Sequence, residues 1–254
     1  MKSKRRGFTL IEVALFLALT GVLFTMVIVG VSDAVYSQRY NDSVQGFAEF
    51  LKTVYSGVEN VQNYVSSGRS DKAIYGKLVV FGAEVDLTGA EVSDSNTIYV
   101  YNVIGNASGS GVNSLVEALQ AVNVNVFEGE NDYGFYEFAG IVESYTPKWS
   151  AEIQKTDSND KFTGAILIVR HPGSGTINTM VYSGNKFNRL NATDEYNVEK
   201  ILINNLSNFT VKEADFCVSM EETSSIRRDV QIIKNANNIS GINILAAEDN
   251  PCML

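Results

Sequence analysis

KRRGFTLIEV, residues 4–13, joins a basic run to an apolar stretch that carries a single carboxylate. Residues 8–31, FTLIEVALFLALTGVLFTMVIVGV, hold one ionisable side chain, Glu12. At about 1.5 Å per helical residue, a helix of this length crosses the roughly 30 Å hydrocarbon core of a bilayer with some tilt. Lys2, Lys4, Arg5 and Arg6 precede it with no acid among them, an asymmetry that places the amino end in the cytoplasm and everything after Val31 outside. An ordinary secretory signal peptide fits less well. Its apolar region runs to about 7–15 residues, and the SDAVYSQRY that follows here offers only a marginal cleavage site.

Glu12 is the informative residue of this span. A carboxylate near the centre of a bilayer costs roughly 2.5–3.5 kcal/mol, so it requires a partner and marks a functional site by default. Cleavage between Gly7 and Phe8 would create one, because the new amino group on Phe8 is a cation within the membrane. Paired at about 4 Å with the Glu12 of another subunit, it would gain up to about 4 kcal/mol at an effective dielectric of 20, with both ions otherwise stranded in lipid.

The run RRGFTLIEV resembles the class III signal sequence of type IV pilins, of type II secretion pseudopilins and of competence pseudopilins. The resemblance is strong over about the first 60 residues and architectural beyond them. It implies that a prepilin peptidase cuts between Gly7 and Phe8 and methylates the Phe8 amine, and that Glu12 aids recruitment into a filament. It also implies partners: other pilin or pseudopilin subunits, the peptidase, an inner-membrane assembly platform and the membrane itself. Many pilins carry a proline later in this helix, where the present span has Thr20, Gly21 and Gly30.

Past the span, Val44, Phe47, Leu51, Val54, Val58, Val61 and Val65 recur at alternating spacings of three and four, which draws one apolar stripe along a continuing helix. Lys52, Glu49, Glu59, Asn60 and Asn63 fall off it. A coiled-coil seam would use the same spacing, but the strand-rich sequence that follows favours burial against a sheet of the same chain. Ser66, Ser67 and Gly68 end the pattern.

Short β-type runs follow at 77–81, 97–104, 134–142, 164–170 and 177–183, with helical spacing at 114–122 and 196–206. FTVKEADFCVSM and RRDVQIIKNANNISGINIL read as a terminal strand pair with turns at NANN and the serine-glycine after it. The expected fold is α+β: a long amino-terminal helix, membrane-spanning in its first half, on an antiparallel sheet. The expected organisation is a leader at 1–7, a membrane or filament-core helix at 8–31, an amphipathic continuation at 32–66 and a globular head at 67–254. A head of this size, read with the resemblance, suggests a minor pilin or minor pseudopilin.

Cys217 and Cys252 would close a loop of about 35 residues outside the cytoplasm, stabilising by roughly 3–4 kcal/mol; two unpaired buried thiols are the alternative. A formal charge of −9 argues against nucleic acid as the main ligand, since phosphate binding needs clustered cations. Arg227 and Arg228 are a weak pair on an acidic head. The one histidine, His171, lies in the turn-like RHPGSG and excludes a multi-histidine zinc site; NASGSGVNS at 106–114 lacks the ending of a phosphate loop. Asp157, Asn159 and Asp160 are candidate calcium ligands, but DSNDK lacks the glycine and distal glutamate of a calcium loop and reads better as a solvated turn. EGENDYGFYEF at 128–138 reads as an acidic loop leading into a core strand. No catalytic residue and no cofactor are expected. A filament-tip adhesin or substrate receptor carried on the same anchor is the competing function.

Overall fold

A computed structural model of the chain describes residues 9–59, 73–82, 96–105, 125–126, 136–137, 141–156, 161–170, 175–183, 210–220, 223–246 and 251–252. The chain divides into two compact units, Met1–Asp42 and Ser43–Leu254.

The first unit is built by helix α1 (Leu10–Glu59) up to Asp42. No proline interrupts α1, whose apolar half mixes leucine with valine, and the helix satisfies its backbone groups within itself as lipid requires. The hydroxyls within that half bond back to their own helix. Thr20 Oγ1 donates to Phe16 O (2.8 Å), Thr25 Oγ1 to Val22 O (2.8 Å) and Ser32 Oγ to Ile28 O (2.9 Å). No hydroxyl there is left to demand water, as a lipid environment requires.

The second unit opens with the remaining turns of α1. Val44, Phe47, Ala48, Leu51, Val54, Tyr55 and Val58 are buried, whereas Glu49, Lys52 and Thr53 face outward. The stripe read from the sequence is therefore the packing face as far as α1 is described; Val61 and Val65 lie outside the described residues. Its target is a seven-stranded sheet that runs β3 (Asn125–Val126), β4 (Tyr136–Glu137), β2 (Ile98–Gly105), β1 (Ala73–Phe81), β7 (Gly164–Arg170), β8 (Ile177–Ser183), with β5 (Ile141–Tyr145) also on β2. Tyr55 reaches β8 through a 2.6 Å hydrogen bond with Thr179, whose hydroxyl donates in turn to Ala236 O (3.0 Å). Burial pushes the Tyr55 phenol up to about 12. Arg170 Nη1 donates to Glu59 O at 3.1 Å, satisfying one carbonyl that a helix end leaves open.

A second sheet of four strands runs β11 (Ile242–Ile244), β10 (Thr223–Ile232), β9 (Ala214–Met220), β6 (Ala151–Gln154). The two sheets meet in a cluster of aromatic rings. Phe47 packs edge-on against Phe81 and Phe216, those two stack at 5.2 Å, and Phe162 stands edge-on to both.

Several local features depart from the sequence reading. The strand expected at 77–81 begins at Ala73, because an irregularity between Ile74 and Gly76 lets the pairing continue. Gly76 allows this: a side chain there would collide with the β7 backbone at Ile168 O. The run 134–142 contributes two separate pairings, Glu137 opposite Ile104 at one end of β2 and Ile141–Tyr145 along the other. β3 and β4 pair in parallel, in contrast to the otherwise antiparallel ladders. β6 was not anticipated. It follows a turn in which Trp149 and Ser150 both take left-handed backbone (φ 58° and 57°). Lys148 O closes that turn by accepting from Ala151 N, and it accepts from Ser43 Oγ of α1 as well. The runs 114–122 and 196–206 lie outside the described residues.

Candidate functional site

Thr9 stands just before the first turn of α1 and Glu12 is the third residue within it. Thr9 N and Thr9 Oγ1 both donate to Glu12 Oε2, at 2.9 and 3.0 Å, and Glu12 N donates to Thr9 Oγ1 at 3.3 Å. This reciprocal arrangement is a capping box, in which a threonine and an acid three residues on satisfy backbone donors that a helix start leaves open. The sequence signal for it is T-x-x-E at Thr9–Glu12, which the membrane charge of Glu12 overshadows. Both accepted bonds end on Oε2, so Oε1 keeps its lone pairs for another donor.

The surroundings of that carboxylate are apolar and uncovered. Leu10, Ile11, Leu15, Phe16, Leu19 and Phe24 are all exposed, Leu10 to 87%. An apolar surface of this extent is covered in the assembled state by lipid or by neighbouring helices. By length and composition α1 can cross a membrane, and among the described residues it is the one helix that can.

The other sequence-derived candidates are distributed elsewhere. Gly7 and Phe8 lie outside the described residues, as do Asp157, Asn159 and Asp160, His171 and residues 106–114; of 128–138 only Tyr136–Glu137 is described. Arg227 is buried and Arg228 exposed, as neighbours on a strand point to opposite faces, so the two present no joint cationic patch. Cys217 on β9 and Cys252 form a disulfide, with Cα atoms 5.6 Å apart and both residues buried.

Neither the curated proteins nor the solved structures contain a match to this chain. Residues 2–28 match the family model described as the prokaryotic N-terminal methylation motif. The matched segment takes in the basic run, the Gly7–Phe8 junction, the Thr9–Glu12 cap and most of the apolar helix. Residues 2–28 thus carry the class III signal of type IV pilins and pseudopilins, and this motif together with the long apolar helix supports a membrane-anchored protein.

Proposed function

We propose that this protein is a structural subunit, a minor pilin or minor pseudopilin, of a type IV pilus-like filament, and that it acts by assembly and not by catalysis. The leader 1–7 faces the cytoplasm and is removed by prepilin peptidase, which methylates Phe8. Residues 8–31 hold the subunit in the membrane, 32–66 continue the helix, and 67–254 form a head outside. The assembly platform then draws the helix out of lipid into a filament core, where Glu12 meets the Phe8 amine of a neighbour.

The observation that carries this reading is the state of Glu12: one carboxylate at the start of an uncovered apolar helix, with Oε2 engaged by Thr9 and Oε1 outside those bonds. A second subunit's amine is the donor that such an oxygen lacks. The disulfide supports the placement of the head, because such bonds persist in oxidising compartments outside the cytoplasm.

The test separates the charge from the cap. Glu12→Gln keeps a side chain that accepts from Thr9, since glutamine serves in a capping box as glutamate does, but removes the charge. The Glu12→Gln protein is expected to be processed at Gly7 normally and to enter sheared filaments at least tenfold less than wild type, a loss of about 1.4 kcal/mol or more. Glu12→Ala should behave at least as poorly, and Gly7→Ala should remain as unprocessed precursor in the membrane. Mass spectrometry of the wild-type protein should show a mature chain that begins at a methylated Phe8. Wild-type filament entry by Glu12→Gln would refute the ion-pair mechanism.

A further inference from the structure

The ladder registers of the second sheet place an unusual set of side chains on one face. Asp229 of β10 stands opposite Cys217 of β9, Gln231 opposite Asp215 and Arg227 opposite Ser219. Gln154 of β6 lies opposite Cys217 from the other side, Glu152 opposite Ser219, and Asn243 of β11 opposite Gln231. The face is polar apart from Cys217, yet its centre is covered: Asp229, Ser219, Arg227 and Gln154 are all buried, Asp229 completely (0% exposed), while Asn243 at its edge is exposed. Cys217 fastens Cys252 onto this same face.

The hydrogen bonds around Asp229 leave one atom unaccounted for. Phe216 N donates to Asp229 Oδ1 at 2.9 Å, and Gln231 Nε2 donates to Asp215 Oδ1 at 2.8 Å. Asp229 Oδ2, fully buried, meets no donor. The Asp215 carboxyl is its diagonal neighbour across the ladder, close enough for its charge to act on Asp229. Two carboxylates in contact cannot hydrogen bond, because each only accepts; one shared proton makes one of them a donor.

We propose that Asp215 and Asp229 form a proton-sharing acid pair beneath the Cys217–Cys252 bond, and that departure of this proton weakens the second sheet, making the head a pH-responsive device that is tightest in acid. The proton bridges Asp229 Oδ2 and the Asp215 carboxyl, which gives the buried oxygen the partner it lacks. Among the described residues, no cation acts on Asp229 in its place. Glu213 on the approach to β9 adds negative charge. Arg227 stands on the Ser219 side of Asp229, with Asp215 on the other. Lys161, bridged to Gln154 beside β6, is paired to Glu152 at 2.9 Å; Gln154 Oε1 is a further acceptor without a partner, and the unpartnered Ser219 hydroxyl is neutral. Gln231 and Asn243 are neutral.

Burial foremost, and then the Asp215 charge, raise the Asp229 carboxyl from 3.8 to about 7. A group whose folded value lies above its unfolded one binds its proton more tightly when folded, so the stability it contributes is complete below about pH 4 and is lost as pH rises towards and through 7. Over pH 5 to 8 the folding equilibrium constant should fall about a hundredfold on this account.

The experiment is denaturant unfolding of the oxidised full chain in detergent micelles from pH 5 to pH 8.5, for wild type and Asp229→Asn. The asparagine amide donates to Asp215 where the proton stood, so this variant should lose most of the wild-type pH slope and be the more stable of the two at pH 8. An equal slope in the variant would overturn the proposal. If Asp229→Asn does not fold, carbon-13 NMR of the carboxyl groups in wild type decides: an Asp229 carboxyl that titrates near 7 upholds the pair, and one near 4 overturns it. Asp215→Asn should move that titration towards acid. Calcium that stabilises wild type at pH 8 and is without effect on Asp229→Asn would also overturn the proposal, by showing that the two carboxylates chelate a cation and do not share a proton.

Discussion

Phe47→Ala is expected to destabilise the head unit by about 3–5 kcal/mol, the range for removing a fully buried aromatic side chain. Phe47 is fully buried (0% exposed) and touches rings from three other elements: Phe81 of β1 at 6.3 Å, Tyr145 of β5 at 6.2 Å and Phe216 of β9 at 5.7 Å. These neighbours are themselves held by both sheets and cannot close over the space the ring leaves, so the cavity cost adds to the lost burial. Trp149, the one tryptophan of the chain, reports unfolding by fluorescence. For a unit of this size the loss corresponds to a drop in melting temperature of roughly 10 °C. Phe47→Leu, which keeps most of the volume, should cost less than half as much, while Lys52→Ala on the exposed side of the same helix should stay within about 0.5 kcal/mol of wild type. A loss below about 1 kcal/mol for Phe47→Ala would mean that this ring is not the junction between the sheets.

The same residue shows why much of the fold was legible. Phe47 was placed by spacing alone, as a member of a stripe that needed something to cover it, and the strands that cover it announced themselves through runs such as KLVVF and GAILIVR. Seven-residue apolar runs bury both faces and leave little ambiguity. β6 was missed because AEIQ is four residues long and contains good helix formers; it is a strand only because β9 pairs with it, a long-range cause that no local pattern carries. Asp229 was missed for a related reason. The alternation in RRDVQIIK reads as one wet face and one dry face, and nothing local indicates that the polar face is itself covered. At the amino terminus the charge of Glu12 is legible as an acid in an apolar span, while its bonds to Thr9 depend on the local helix start and are carried only by the T-x-x-E spacing. The same acid serves the helix start with Oε2 and leaves Oε1 for the proposed neighbour.

Removal of the Cys217–Cys252 bond is expected to lower stability by about 4 kcal/mol, the value that loop entropy assigns to a closed segment of 35 residues. Cys217 sits on β9, which β10 and β6 flank on either side, so one half of the bond is anchored in the middle of the second sheet. Its partner, Cys252, lies 35 residues further along the chain. The gain therefore comes from closing a loop in the unfolded chain, and the strands around Cys217 keep their ladder hydrogen bonds to β10 and β6 when the bond is gone. Two consequences distinguish this from a packing defect. Cys217→Ala/Cys252→Ala and the reduced wild-type protein should unfold at the same denaturant concentration, and either single variant should match them to within about 1 kcal/mol. If the reduced wild type proved as stable as the oxidised protein, the entropy argument would fail, and the bond would serve only to shield the polar face on which Asp229 lies.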